Sequence, residues 1–174
     1  MNTLLVTGGT GFLGSWIIDL TGRERFASKH GYDTVRVLAR DPTKARALSL
    51  ADARLEIVRG DLGDPASLRA AARGADAVFH VAALYDTTSR WKDFYRSNVE
   101  ATRELIMGLA PGARMVLTST YGVYGFPRAE NVTEDYEPKK PIWHYQKSKK
   151  MQEDLARELG ENGESDSWPS ARPP

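Results

Sequence analysis

The feature that most constrains this chain lies near its start, where an apolar run meets a glycine-rich turn. Leu4, Leu5 and Val6 predict a short buried strand. Thr7-Gly8-Gly9-Thr10-Gly11-Phe12-Leu13-Gly14 follows at once, and a helix-like stretch from Ser15 to Leu20 comes next. Strand, glycine turn and helix in that order deliver a dinucleotide pyrophosphate to a helix N-terminus, where unpaired N–H groups and the helix dipole favour an anion. Gly8 permits the tight turn, Gly11 lets the backbone come close to phosphate, and Gly14 lets the helix pack tightly on the strand. The spacing is G-x-x-G-x-x-G rather than G-x-G-x-x-G, and a purely structural turn before a helix would use the same residues.

The rest of the chain repeats the alternation of strand and helix. Asp33–Ala39 carries Val35, Val37 and Leu38; Leu55, Ile57 and Val58 follow; Ala75–Val81 and Met115–Leu117 complete the set. Helices are expected from Pro42 through Leu50, from Asp64-Pro65 to about Arg73, from about Trp91 to Leu109, and within Pro141 to about Leu159. Thr21–Gly31 reads as a helix end and a long connection. Short buried strands joined by helices imply right-handed crossovers and a parallel sheet covered on both faces. The predicted fold is therefore α/β, a Rossmann-like doubly wound sheet of five strands in order 3-2-1-4-5. Its switch point falls between strands one and four, where the glycine turn sits. This domain is assigned residues 1–160. Glu161–Pro174 is polar, ends in prolines and reads as a disordered or loosely attached tail.

The 174 residues suffice for one domain with a real core, and the net charge is +1 with Lys and Arg dispersed. That balance gives no electrostatic case for nucleic acid or an anionic membrane. No stretch approaches the roughly 18 apolar residues of a membrane span, and the N-terminus enters a strand with no signal peptide, so a cytoplasmic protein is expected. With no Cys, and with His30, His80 and His144 lacking ligand spacing, no metal site is expected.

Several residues sit where a bound dinucleotide would need them. Arg40 follows strand two, with Lys44 one turn on; a guanidinium forks onto a phosphate, which favours the 2′-phosphate of NADP over NAD. A solvated Arg capping a strand is the competing reading, and Asp41 could still reach the ribose. Asp61, in Gly60-Asp61-Leu62, reads equally as an acceptor for the adenine amine and as a turn residue. The Ala82-Ala83 pair either leaves room for a ligand on the backbone or only packs tightly. Trp91, Phe94, Tyr95, Val99, Thr102, Leu105, Ile106 and Leu109 form one helical stripe. Asn98 lies inside it, so its amide must find buried partners, whether for a site or for a neighbouring loop.

Tyr145 and Lys149 share a helix face at i and i+4. A free tyrosine has a pKa of about 10, and a neighbouring ammonium favours the phenolate; two units of lowering would represent about 2.7 kcal/mol. Such a phenol would serve as an acid-base group at a carbonyl or alcohol, although the bare spacing is common and a solvated pair on a helix is the competing reading. Thr118-Ser119-Thr120, at the end of strand five, could hold the substrate oxygen beside it.

With these residues in place the chain resembles the extended short-chain dehydrogenase/reductase family, also called the NAD-dependent epimerase/dehydratase family. The matching stretches are TGGTGFLG, GDL at Gly60–Leu62, HVAA at His80–Ala83, SNVEATREL at Ser97–Leu105, TSTYGVYG at Thr118–Gly125 and YQKSKKMQE at Tyr145–Glu153. The resemblance implies Tyr145 as catalytic acid-base, with Lys149 lowering its pKa and bonding the nicotinamide ribose. It makes Thr120 the catalytic hydroxyl, with Thr118 and Ser119 its neighbours, and Asn98 the helix residue that supports the site. The implied cofactor contacts are Gly8, Gly11, Phe12, Leu13, Gly14, Arg40, Lys44, Asp61, Leu62, Ala82, Ala83, Thr118, Tyr145 and Lys149.

The resemblance also has departures. Nucleotide-sugar dehydratases carry an acidic pair after the catalytic Thr; Tyr121-Gly122 here argues against that elimination. Arg40 resembles the strand-two end of NADP-using reductases of the dihydroflavonol reductase type. Family members are longer, continuing into further strands and a substrate domain, so the substrate domain is expected to be missing and the chain to be truncated. The resulting expectation is an NADP-preferring oxidoreductase, with NAD the alternative, working on a small carbonyl or alcohol. A nucleotide-sugar epimerase with the same residues is one rival; a non-catalytic dinucleotide-binding fragment is another. An uncovered sheet edge would favour association, including a homodimer.

Overall fold

Five apolar runs become five parallel strands: β1 (Thr3–Thr7), β2 (Thr34–Ala39), β3 (Arg54–Arg59), β4 (Ala77–His80) and β5 (Arg114–Leu117). The computed structural model describes residues 2–23, 26–45, 48, 54–125, 131–133, 136 and 143–162. The sheet order is β3-β2-β1-β4-β5, as the alternation predicts. β1 is central and wholly buried, paired with β2 through Val6↔Val37 and with β4 through Val6↔Phe79.

Successive side chains of β1 point to opposite faces, so its apolar residues supply two cores. Leu4 and Val6 pack with Ile18 and Ala27, from α1 (Phe12–Arg23) and α2 (Phe26–Lys29). Leu5 packs on the other face with Leu68, Leu105 and Ala156. These come from α4 (Pro65–Ala72), α6 (Ala101–Gly108) and α7 (His144–Asn162). A sheet covered on both faces explains why its strands read as nearly continuous apolar runs. Asp64 caps α4 as expected, its carboxylate accepting from the N–H groups of Ala66 at 3.1 Å and Ser67 at 3.3 Å, with Pro65 in the first turn.

Four expectations change. The connection after α1 contains the short helix α2. The helix opened by Pro42 is seen as one turn, α3 (Pro42–Ala45), with residues 46–47 and 49–53 outside the described set. The helix expected from Trp91 to Leu109 is not uniform: α5 (Trp91–Phe94) passes into a π-helical segment, Tyr95–Glu100, before α6. Finally, α7 runs to Asn162, past the boundary drawn at residue 160. Residues 163–174, most of the expected tail, and 137–142 lie outside the described residues. No helix among the described residues is long and apolar enough to cross a membrane.

Candidate active site

The glycine turn leaves β1 directly after buried Thr7. Gly8 has φ +73°, in the left-handed region, and a Cβ there would lie 2.8 Å from the Ala82 nitrogen. The Gly11 N–H donates to the Gly8 carbonyl at 2.9 Å, and a Cβ on Gly14 would fall 2.1 Å from that same oxygen. Gly8 and Gly14 are therefore obligatory for packing the turn against β4 and α1. Gly11 is exposed and, among the described residues, a Cβ there would meet only the Gly8 carbonyl, at 3.2 Å, so the turn is open to a ligand on that side. Phe12 stands 86% exposed beside it, with Leu13 also exposed, which places both at the outer lip. A closed glycine backbone at the start of the twelve-residue α1 fits a dinucleotide pyrophosphate.

Strand order brings Arg40 and Asp61 together beyond the ends of β2 and β3. The Arg40 Nε lies 3.9 Å from Asp61 Oδ2, with both side chains largely in solvent. The other Asp61 oxygen accepts from the Gly63 N–H at 2.7 Å, so the carboxylate also organises its own turn. Asp41 is engaged by Thr43, accepting from its N–H at 3.0 Å and its hydroxyl at 2.6 Å; these bonds hold the carboxyl below the usual range. Lys44 is exposed on α3, and Leu62 is partly buried against the core. Ala82 also meets the end of β1: its N–H and that of Val81 donate to Thr7 Oγ1 at 3.1 and 3.2 Å.

From Ala82 the chain continues through Ala83 and Leu84 to Tyr85, and this short loop connects the glycine turn with the tyrosine. Asn98 is fully buried in the π-helical segment, and its amide ties down the loop. Asn98 Oδ1 accepts from the Leu84 N–H at 2.7 Å, and Nδ2 donates to the Leu84 carbonyl at 3.2 Å and to Ser148 Oγ at 2.9 Å. Ser148 in turn donates to the Tyr145 carbonyl at 2.7 Å. Asn98 thus holds both the loop after β4 and the first turns of α7. A π-helical turn at such a junction is a recurrent functional device.

Tyr145 meets Tyr85 edge-on, with ring centroids 4.8 Å apart, and Phe94 at 6.3 Å. Lys147 lies over the Trp91 ring at 4.4 Å, clamping α7 to α5. Thr120 caps the 3₁₀ turn Tyr121–Tyr124, its hydroxyl accepting from the Gly122 N–H at 3.2 Å. Gly122 packs on Gln146, where a Cβ would meet Cγ at 3.0 Å, so the Thr120 turn and the Tyr145 turn abut. Thr118 extends the β5 pairing by donating its N–H to the His80 carbonyl at 3.1 Å. The side-chain oxygen of Ser119 is buried and has no partner among the described residues.

The electrostatics correct one expectation. The Tyr145 phenol is raised, by burial first and Tyr85 second, rather than lowered by Lys149. The physical reason is where the lysine goes: it is 2% exposed, and its Nζ donates inward to Gln152 Oε1. Burial brings Lys149 down to about 8, against the opposing pull of Glu153.

Sequence reasoning assigned no role to four polar residues that are buried here: Thr7, His80, Thr102 and Gln152. His80 bridges Thr7 Oγ1 at 2.7 Å and Thr102 Oγ1 at 3.0 Å, and Gln152 Nε2 reaches Thr102 Oγ1 at 2.6 Å. Burial, with a smaller push from Lys149, lowers His80 to about 3, so the imidazole is neutral. A polar residue closing an apolar strand, and a Gln three positions after the lysine, were the available signals.

Comparison with known proteins agrees with this geometry. The model of the NAD dependent epimerase/dehydratase family matches residues 4–168. The chain belongs to that family. Cinnamoyl-CoA reductase 1 of Oryza sativa subsp. japonica is 42% identical over 125 residues, covering 67% of this chain and 34% of that protein. UDP-glucose 4-epimerase of Azospirillum brasilense is 30% identical over 164 residues, covering 90% of this chain and 44% of that protein. Among solved structures, a short-chain dehydrogenase/reductase superfamily protein from Agrobacterium tumefaciens with bound NAD gives a TM-score of 0.74 at 27% identity. That alignment covers 94% of this family member and 47% of the crystallised chain. The chain thus spans less than half the length of each of these three relatives.

Proposed function

We propose that this chain is the dinucleotide-binding part of an NAD(P)-dependent oxidoreductase acting at a secondary alcohol or ketone, with NADP the preferred cofactor. The observation that carries the reading is the contact path from the glycine turn to the candidate acid-base residue. Gly8 packs on Ala82, the Leu84 backbone is bonded to Asn98, and Tyr85 meets Tyr145 edge-on. When bound, the nicotinamide supplies or accepts the hydride. Tyr145 gives its phenolic proton to the carbonyl oxygen during reduction, and the Thr120 hydroxyl steadies that oxygen. Thr120 keeps its own proton for this, because in the capping bond it acts as acceptor. The Lys149 ammonium, one helical turn after Tyr145 and held on Gln152, is the cation of the same site. Asn98 acts by positioning, through Leu84 and Ser148.

Arg40 supports the NADP preference: it is 84% exposed at the end of β2, while Thr43 occupies the neighbouring Asp41 carboxylate. Asp61 stands beside it as a candidate acceptor for the adenine amine. Phe12, Leu13, Lys44, Leu62, Ala82, Ala83 and Thr118 complete the proposed cofactor contacts. Self-association is part of the same reading, supported by Val116, 54% exposed on the edge strand β5.

Titration with NADPH and NADH, followed by a ketone panel, tests the proposal. Tight binding with net cofactor turnover is the expected result. The relatives also include the UDP-glucose 4-epimerase named above, and an epimerase would keep its cofactor and show no net redox change. Binding without turnover on any substrate would mark a dinucleotide-binding module. Failure to bind either cofactor would refute the reading.

A further inference from the structure

Buried polar groups must have their donors and acceptors matched, and this requirement orients the cluster that ends on Lys149. Thr102 has one hydroxyl proton, which goes to the Asn98 carbonyl at 2.7 Å. Its oxygen can therefore only accept from its other two partners. His80 must donate from Nε2, which leaves Nδ1 to accept the Thr7 hydroxyl proton. Thr7 Oγ1 is free to do so because it takes the Val81 and Ala82 N–H groups on its lone pairs. Gln152 must likewise present its amide nitrogen to Thr102, so its carbonyl oxygen faces the Lys149 ammonium. The Gln152 orientation follows from counting protons along the chain.

We propose that Gln152 is a positioning residue for Lys149, holding its ammonium in a place set by the buried Thr7–His80–Thr102 chain. The inference rests on the reading of Lys149 as the cation of the Tyr145 site. Thr7 borders the glycine turn and Lys149 follows Tyr145 by one helical turn. One buried hydrogen-bonded chain thus registers the pyrophosphate end of the site against its acid-base end. Both Gln152 and Thr102 are 0% exposed, and Lys149 2%, so water does not compete for these bonds.

Among the described residues, the groups acting on Lys149 are few. Glu153 on its own helix and His80 on β4 are its titratable neighbours. The π-helical segment and α6 contribute the neutral Asn98 and Thr102 to the cluster, and the 3₁₀ turn meets α7 through uncharged Gly122 and Gln146.

The test follows the Lys149 Cε resonance through a pH titration of the full chain with isotope-labelled lysine, assigned by its loss in Lys149→Met. The parent midpoint is expected at about 8. Gln152→Leu removes the acceptor and should lower it, whereas Gln152→Glu keeps the shape, adds charge and should raise it, each by about one pH unit. A packing role alone would move both variants the same way or neither, and either result overturns the proposal. If Gln152→Leu fails to fold, Gln152→Glu against the parent decides: an upward shift supports the contact and an unchanged midpoint refutes it. Cofactor titration of the parent judges the enzyme reading separately, since a parent that binds neither NADPH nor NADH refutes that reading and leaves the titration to judge the contact.

Discussion

The Asn98 amide donates to the Ser148 hydroxyl at 2.9 Å, joining a π-helical segment to the opening turns of α7 across fifty positions of sequence. The same amide is bonded to both backbone groups of Leu84. Replacing Asn98 with Ala should cost about 3 kcal/mol, because it orphans buried backbone groups as well as losing its own bonds. Ser148→Ala alone should cost about 1 kcal/mol. In the Ser148→Ala background, Asn98→Ala should cost about 1 kcal/mol less than in the parent, the signature of a shared contact. Urea denaturation of the four proteins measures this, and strict additivity would show that the contact contributes nothing.

Arg40 and Asp61 make an exposed pair, and such pairs contribute at most about 1 kcal/mol. Arg40→Ala should therefore leave the melting temperature almost unchanged while weakening NADPH by about tenfold or more relative to NADH. Parallel fluorescence titrations with the two cofactors check this. Equal losses for both would refute the assignment of Arg40 to a 2′-phosphate.

His80 is buried as a neutral imidazole, lowered to about 3, whereas an unfolded histidine titrates near 6.5. The unfolded chain then binds the extra proton first, so this contribution is complete above pH 6.5 and is lost as pH falls toward 3. Between pH 6.5 and 5 the loss from His80 alone should be roughly 2 kcal/mol. Stability measured at several pH values in the parent and in His80→Asn should differ in slope over that range, with the parent the steeper. The comparison is of slopes because the variant also loses the bonds to Thr7 and Thr102 and starts from a lower level. Parallel curves would mean that His80 is charged in the folded state or not buried.

The fold was legible because its signals are local. Apolar runs such as Leu4–Val6, the Gly8–Gly14 turn and the Asp64-Pro65 cap each act within a few residues, and parallel order follows from strand–helix alternation. The π-helical segment was not legible, since the apolar stripe from Trp91 to Leu109 reads the same with or without the distortion. Its partners, Leu84 and Ser148, come from elsewhere in the chain. The lowering expected of the Tyr145 phenol fails for a related reason. A spacing of i and i+4 puts two side chains on one face, but it does not say which way a long amine turns. Gln152 and burial decided that. The predicted strand order already sets the ends of β2 and β3 side by side, but it does not say that the Arg40 and Asp61 side chains turn toward each other.

Gly14 and Gly74 separate a glycine required by contact from one required by backbone angle. A Cβ on Gly14 would lie 2.1 Å from the Gly8 carbonyl oxygen and 2.8 Å from Gly9 Cα, both rigid backbone. A Cβ on Gly74 would meet nothing within 4 Å among the described residues, which leaves Gly74→Ala the strain of φ +69°. That strain is about 1 kcal/mol, whereas forcing atoms into a closed backbone costs about 3 kcal/mol or opens the turn. Gly14→Ala should accordingly be the more destabilised of the two on thermal or urea unfolding and should bind neither NADPH nor NADH. Gly74→Ala, remote from the turn, should keep the parent's cofactor affinity. If Gly14→Ala bound cofactor as tightly as Gly74→Ala does, the turn would not be the pyrophosphate site.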